Sequence, residues 1–330
     1  MLPARPPLIK LRTLLLLHAA LAAACPLTAN ALVIAGPNGL ANSTQSPLNS
    51  WVTASGRPTF PYWDNVITVS DASGVYLGNS GSYGYVLTAA HVTSPPGSNS
   101  ITVAGTTYTV RDNVPIGSTD LRLYRIGGET GDPALPALMN IPIASGSPSI
   151  GTALLDFGRG GRVETTSDSP VISDIANVPG TNATAFEWAG AGPMRWGTNN
   201  TASTSFFAGS TTPFILIPGL SSTASFVSRF DDAGIGNYQT TTEAGLAGGD
   251  SGGPAFTVNG SLWEISGINS FVTGTAGLTD FGNYSGYNDL ATYRSSIIAA
   301  MVPEPSVSGV LALGLVLLMK RRSRPCCPGY

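Results

Sequence analysis

Apolar positions along the chain come in short bursts that alternate with polar ones. "NVITVS", "SGVYLGN", "GYVLTAA", "SITVAGTTYTV" and "DLRLYRI" follow one another through the first half, rich in β-branched and aromatic residues. Turns of Gly, Ser, Asn and Pro separate them, which is the pattern of strands joined by tight loops. The same texture resumes at "SIGTALLDFG", "TAFEWAG", "SFFAG", "TPFILIPG", "TASFVSRF" and "PAFTVNGSLWEISGINSFV". Only two helical stretches are predicted: a turn after "TAAH", and "LATYRSSIIAAM" from Leu290 to Met301. A Pro-rich segment from Gly127 to Pro148 divides the β-rich halves. The pattern predicts an all-β fold of two antiparallel β-barrels with a C-terminal helix. Barrel one would span about residues 32–138, barrel two about 148–289, and the helix 290–301. A single β-sandwich is the alternative. No internal repeat is evident.

Composition narrows the function classes. The 330 residues include 40 glycines and 25 prolines, and only 11% are charged. Apolar content is ample for a packed core. The net charge of −3 hides an uneven distribution: between Leu32 and Val302 there are nine arginines, no lysine and eighteen acids, a net −9. Such an acidic body is a poor ligand for a phosphate backbone, so no nucleic-acid partner is expected.

Both ends read as addresses. Arg5, Lys10 and Arg12 precede the apolar run "TLLLLHAALAAA", and "TANA" closes it with small residues. Residues 1–31 therefore read as a secretory signal peptide cleaved after Ala31, with an uncleaved anchor as the alternative. At the far end, residues 303–330 open with Pro303-Glu304-Pro305. A short apolar run to Met319 and the basic cluster Lys320, Arg321, Arg322 follow. The run is shorter than the 20 or so residues of an ordinary spanning helix. This order of parts resembles the PEP-CTERM sorting signal of Gram-negative bacteria. The resemblance implies transient anchoring in the inner membrane, an exosortase-type sorting enzyme as partner, and delivery to the cell envelope or outside. A plain C-terminal anchor is the alternative.

Cys25, Cys326 and Cys327 all lie in these end segments, so the body has neither disulfide nor thiolate metal site. No metal or cofactor is expected. The histidines are His18, in the signal segment, and His91, in "YVLTAAHV". Any imidazole chemistry in the body must use His91.

The stretch "GGDSGGPAF", Gly248 to Phe256, carries the most specific signal. Together with "SGVYLGNSGSYGYVLTAAHV" and "STDLRLYRI" it resembles the chymotrypsin-like (trypsin-like) serine peptidases. In that family a histidine follows a Thr-Ala-Ala strand end. An aspartate opens an Asp-x-x-Leu strand, and the serine sits in Gly-Asp-Ser-Gly-Gly-Pro. His91, Asp120 and Ser251 match in that chain order. The resemblance implies a serine endopeptidase domain over residues 32–302, acting on polypeptide substrates. Ser251 would be the nucleophile and His91 its base, with Asp120 orienting the imidazole. Asp112, eight residues before Asp120, is the competing acid. The N–H groups of Gly249 and Ser251 would form the oxyanion hole, with Gly249 suited to a positive φ.

The family's pocket base falls six residues before the nucleophile, on Gly245, and its wall on Ser270, Phe271 and Val272. Glycine at the base supplies no charge for Lys or Arg substrates, and Val272 adds bulk where relatives have glycine. Cleavage after small or medium apolar residues is expected. The chain departs from the family in lacking disulfides and a clear Ile-Val-Gly-Gly start, which leaves the partner of Asp250 open. A non-catalytic envelope or adhesion protein on the same fold is the alternative function.

Overall fold

The computed structural model describes residues 32–34, 42–92, 100–159, 161–162, 172–173, 184–189, 193–203, 214–215, 223–231, 240, 242–274 and 277–302. The expected signal peptide (1–31) and sorting signal (303–330) lie outside the described residues.

The chain opens with strand β1 (Val33–Ile34) and helix α1 (Gln45–Ala54). Six strands follow: β2 (Val66–Val69), β3 (Ala72–Ser80), β4 (Tyr83–Thr88), β5 (Ser100–Val103), β6 (Thr106–Pro115) and β7 (Arg122–Ile126). They form one antiparallel sheet in the order β2-β3-β4-β7-β6-β5. Its two edge strands, β2 and β5, lie against each other, so the sheet is nearly closed. Two-residue turns set its register. Between β5 and β6 the turn residues Ala104 and Gly105 both have positive φ, 47° and 79°. That backbone twist matches the flanking strands. Both faces of the sheet are covered: Val75, Leu87 and Leu123 on one and Val86 and Ile126 on the other are all fully buried.

The second half holds β8 (Ala153–Gly158), β9 (Gly161–Arg162), β10 (Ile172–Ser173), β11 (Thr184–Ala189), β12 (Arg195–Asn200), β13 (Phe214–Ile215) and β14 (Thr223–Arg229). Then come β15 (Ala244–Gly245), β16 (Pro254–Asn259), β17 (Leu262–Val272), β18 (Leu278–Asp280), β19 (Tyr284–Asp289) and helix α2 (Leu290–Met301). Seven of these strands pair in the order β12-β8-β16-β17-β19-β14-β13. Just beyond β12, one edge of this sheet, Thr201 bridges to Ser228 of β14, the strand next to the other edge. β11 and β18 pair in a smaller sheet beside it.

Helix α2 occupies the range expected from the pattern. Asp289 caps it, accepting from Ala291 N (3.2 Å) and Thr292 Oγ1 (2.8 Å). Leu290 and Ile297 pack inward.

Two features depart from the sequence reading. Helix α1 was not anticipated, because "QSPLNSWVTA" combines poor helix formers with a proline in the first turn. Tertiary packing overrides propensity there: Leu48 and Val52 are buried, and Trp51 lies 5.7 Å from Trp196 across the molecule. β1, assigned with barrel one, pairs instead with β15 in the second half. Both of its residues are apolar and buried, so it completes the core there. The halves share a core. Phe60, from the segment between α1 and β2, packs on Phe157, Phe256 and Trp263 of the second half at 5.0–5.4 Å.

Candidate active site

Three loops converge where the halves meet. His91 follows β4, in a segment whose Ala89 and Ala90 are buried. Asp120 sits two residues before β7, fully buried. Ser251 lies on the loop between β15 and β16. His91 Nε2 is 2.7 Å from Ser251 Oγ. On the other side of the ring, Nδ1 lies 2.9 Å from Asp120 Oδ1 and 3.0 Å from Oδ2. With Nδ1 protonated toward the carboxylate, Nε2 presents its lone pair to the serine hydroxyl. The His91 backbone N–H also donates to Asp120 Oδ1 (3.0 Å), and Ser270 Oγ donates to Oδ2 (2.6 Å). Burial alone would push the Asp120 carboxyl up. The bonds and charge of His91, with the Ser270 hydroxyl, outweigh it and hold the group below the usual carboxylate range. Asp112 is elsewhere, on the exposed face of β6, paired with Arg125 at 3.2 Å.

The serine loop is held in shape from both halves. Gly249 has φ +91° and Gly252 φ +83°, backbone states open to glycine at low cost. A side chain at Gly252 would strike Thr88 Oγ1 and the Ser73 carbonyl. Ser73 of β3 donates its N–H to the Ser251 carbonyl (2.9 Å) and its hydroxyl to the Gly249 carbonyl (3.3 Å). Asp250, buried, accepts from Ala247 N at 2.8 Å. No acceptor among the described residues meets the N–H of Gly249 or Ser251.

Beside Ser251 opens a cavity of about 110 Å³, lined by Trp188, Leu246, Ala247, Gly248, Ser251, Ser270, Phe271 and Val272. Three of the expected wall residues, Ser270, Phe271 and Val272, are there. Gly245 is not among the residues that line this cavity. It lies in β15, where an added Cβ would come within 2.7 Å of Thr279 and 3.0 Å of Phe230. Glu243 also faces away from the cavity. It accepts from Thr240 N (2.7 Å), Thr240 Oγ1 (3.0 Å) and Asp231 N (3.3 Å), and burial pushes its carboxyl up to about 8.

The sequence reading missed Trp188. Its indole N–H donates to Thr279 Oγ1 (2.8 Å), whose own hydroxyl donates to the Leu246 carbonyl (2.9 Å). That relay fixes the indole against Gly248, where a Cβ would meet the ring at 3.0 Å. No motif surrounds Trp188, so nothing local in the sequence could have placed it here.

No family model and no curated protein matches the chain. Among solved structures, the chain is similar to neuropsin, a serine protease expressed in the limbic system of mouse brain. Identity is 16%, the match covers 74% of this chain and 98% of neuropsin, and the TM-score is 0.43.

Proposed function

We propose that the chain is a serine endopeptidase that cleaves polypeptides through an acyl-enzyme, with its two sheets acting as the two barrels of a chymotrypsin-like fold. One observation carries this reading: Ser251 Oγ lies 2.7 Å from His91 Nε2 while Nδ1 of the same ring rests on Asp120. A serine hydroxyl is a weak nucleophile without such a base. As Oγ attacks the substrate carbonyl, its proton passes to Nε2 and the carbonyl π pair moves onto oxygen. The N–H groups of Gly249 and Ser251 meet that oxyanion, each such donor contributing about 3 kcal/mol to the transition state. Collapse expels the amine, which takes the proton from Nε2. Water then repeats the sequence on the ester and regenerates Ser251. Asp120 stays ionised and stabilises the imidazolium.

The small cavity and its apolar wall favour a small or medium apolar residue, such as Ala or Val, on the acyl side of the cut. Among the described residues no carboxylate lines the cavity to pair with a Lys or Arg side chain, and burying such a cation unpaired is costly. We further infer an exported protein whose tail after Val302 is removed at the membrane. Intact-mass analysis of envelope or secreted material checks that point, and a mass retaining Lys320 would support a plain anchor.

The decisive experiment is labelling with a fluorophosphonate probe. The full chain should label once and cleave casein, while Ser251→Ala should do neither and should keep its thermal melt. A wild-type chain that folds but neither labels nor cleaves would favour a non-catalytic surface protein.

A further inference from the structure

Asp120 belongs to the first half by sequence, but three strands of the second half hold it. Ser270 is the extra residue of a β-bulge in β17, between the pairs Asn269–Tyr287 and Phe271–Gly286. Bulges re-aim side chains, and this one sends the Ser270 hydroxyl onto the carboxylate. The other two bonds involve the Asp120 backbone. Its N–H donates to Thr223 Oγ1 at 2.9 Å, and its C=O accepts from Asn288 Nδ2 at 2.6 Å. The same Nδ2 lies 3.3 Å from Asp120 Oδ2. Thr223 opens β14 and Asn288 lies in β19, and these strands are neighbours, with Ser225 opposite Asn288.

We propose that Asn288, seconded by Thr223, is a positioning residue that clamps the Asp120 peptide from both sides and so fixes the carboxylate under His91; this rests on the peptidase reading. The amide orientation follows from its partners. Both are acceptors, so the nitrogen faces them, and a flipped amide would set oxygen against oxygen. Asn288 is fully buried, and its Oδ1 has no partner among the described residues. The residue is thus spent on its donor end, since a buried amide is otherwise costly to retain. Ser270 touches only the carboxylate and can follow it as it swings. The Asn288 bond to the carbonyl fixes the Cα, from which the carboxylate hangs. Asn288 touches no reacting atom, so its effect is through Asp120 alone.

The test uses the full chain with three substitutions: Asn288→Ala, Asn288→Asp and Thr223→Val. Misplacement of a supporting group by about 1 Å can cost on the order of 100-fold in rate. Both Asn288 variants should lower kcat by about 10- to 100-fold with KM unchanged within about twofold, as expected for a contribution made only in the transition state. The second readout is the low-field proton resonance of the His91 Nδ1–H, assigned by its loss in His91→Ala. It should move or vanish in both Asn288 variants. An Asn288→Ala protein that keeps both kcat and the resonance overturns the proposal. A fall in kcat with the resonance unmoved overturns it too, since the bond to Asp120 would then be intact. Should the Asn288 variants fail to fold, Thr223→Val keeps the side-chain volume and removes the hydroxyl that accepts from the Asp120 N–H. A shifted resonance there supports the clamp, and an unshifted one overturns it. The resonance needs no turnover, so it reads the clamp even if the wild-type chain fails to label and the peptidase reading falls.

Discussion

The line from Asp120 to Ser251 and the cavity beside it are neighbours built on opposite terms. Along the line, position is set by directional bonds of 2.6–3.0 Å, and Asp120 makes one with every polar group around it. In the cavity, position is set by volume. Trp188 lies over Gly248, and a residue larger than glycine at Gly286 would strike Phe271. The two kinds of construction fail differently. On the proposed peptidase reading, a lost bond should change how fast a bound substrate reacts, and a changed volume should alter which substrate enters.

The largest break should come on the bonded side. Asp120→Asn keeps the shape but favours the wrong imidazole tautomer, and such a change should lower kcat by about 10⁴-fold. KM for a small apolar substrate should move little. A parallel rise in KM would mean that the line and the cavity are not separable.

Gly245→Asp comes next, and it separates a pocket floor from a packing residue. A carboxylate there would be driven into Phe230 and Thr279 without a partner. It should destabilise the fold by about 3 kcal/mol or more, read by chemical denaturation. It should not create a preference for Lys or Arg. A stable, arginine-selective variant would return Gly245 to the cavity.

Val272→Gly should act on volume alone. A few methylenes in an apolar pocket are worth about 1–3 kcal/mol of discrimination. The ratio of kcat/KM for Phe over Val substrates should therefore rise by about 10-fold or more. Peptide-library digestion read by mass spectrometry measures it, with the fluorophosphonate labelling rate as the control for an intact line.

The smallest effect concerns neither region directly. Burial raises Glu243 from 4.5 to about 8 in the folded chain. The folded state then holds a proton that the unfolded state has released, so stability falls as pH rises from about 4.5 to about 8. Glu243→Gln should flatten that descent in melts across the range. Part of the slope should remain, because burial also raises Asp156, which accepts from Tyr287, to about 7.

How much of this was legible in the sequence follows the same division. His91, Asp120 and Ser251 stand in local motifs, and the alternating runs around them marked most strands and the terminal helix. Helix α1 was not legible, because its stability comes from Leu48 and Val52 meeting a distant sheet rather than from its own residues. The pocket was legible only in part. Ser270, Phe271 and Val272 follow from spacing to the serine motif, whereas Trp188 arrives from a strand 63 residues before Ser251. Asn288 and Thr223 stand among other buried polar residues of β19 and β14, such as Ser285 and Ser225, with no pattern to single them out. Asp112 and Asp120 looked alike on paper. What separates them is depth, since one lies on a solvent face and the other under three strands of the far half.

That grip on Asp120 by β14, β17 and β19 also bears on the order in which the chain is made. Ribosomes deliver His91 and Asp120 early and Ser251 much later, but Asn288 comes last, just before helix α2, the final element of the described body. A nascent chain carrying all three reactive side chains still lacks the strand that seats one of them. The seating of Asp120 under His91 is therefore completed only when β19 joins the sheet, after Ser251 has already been made.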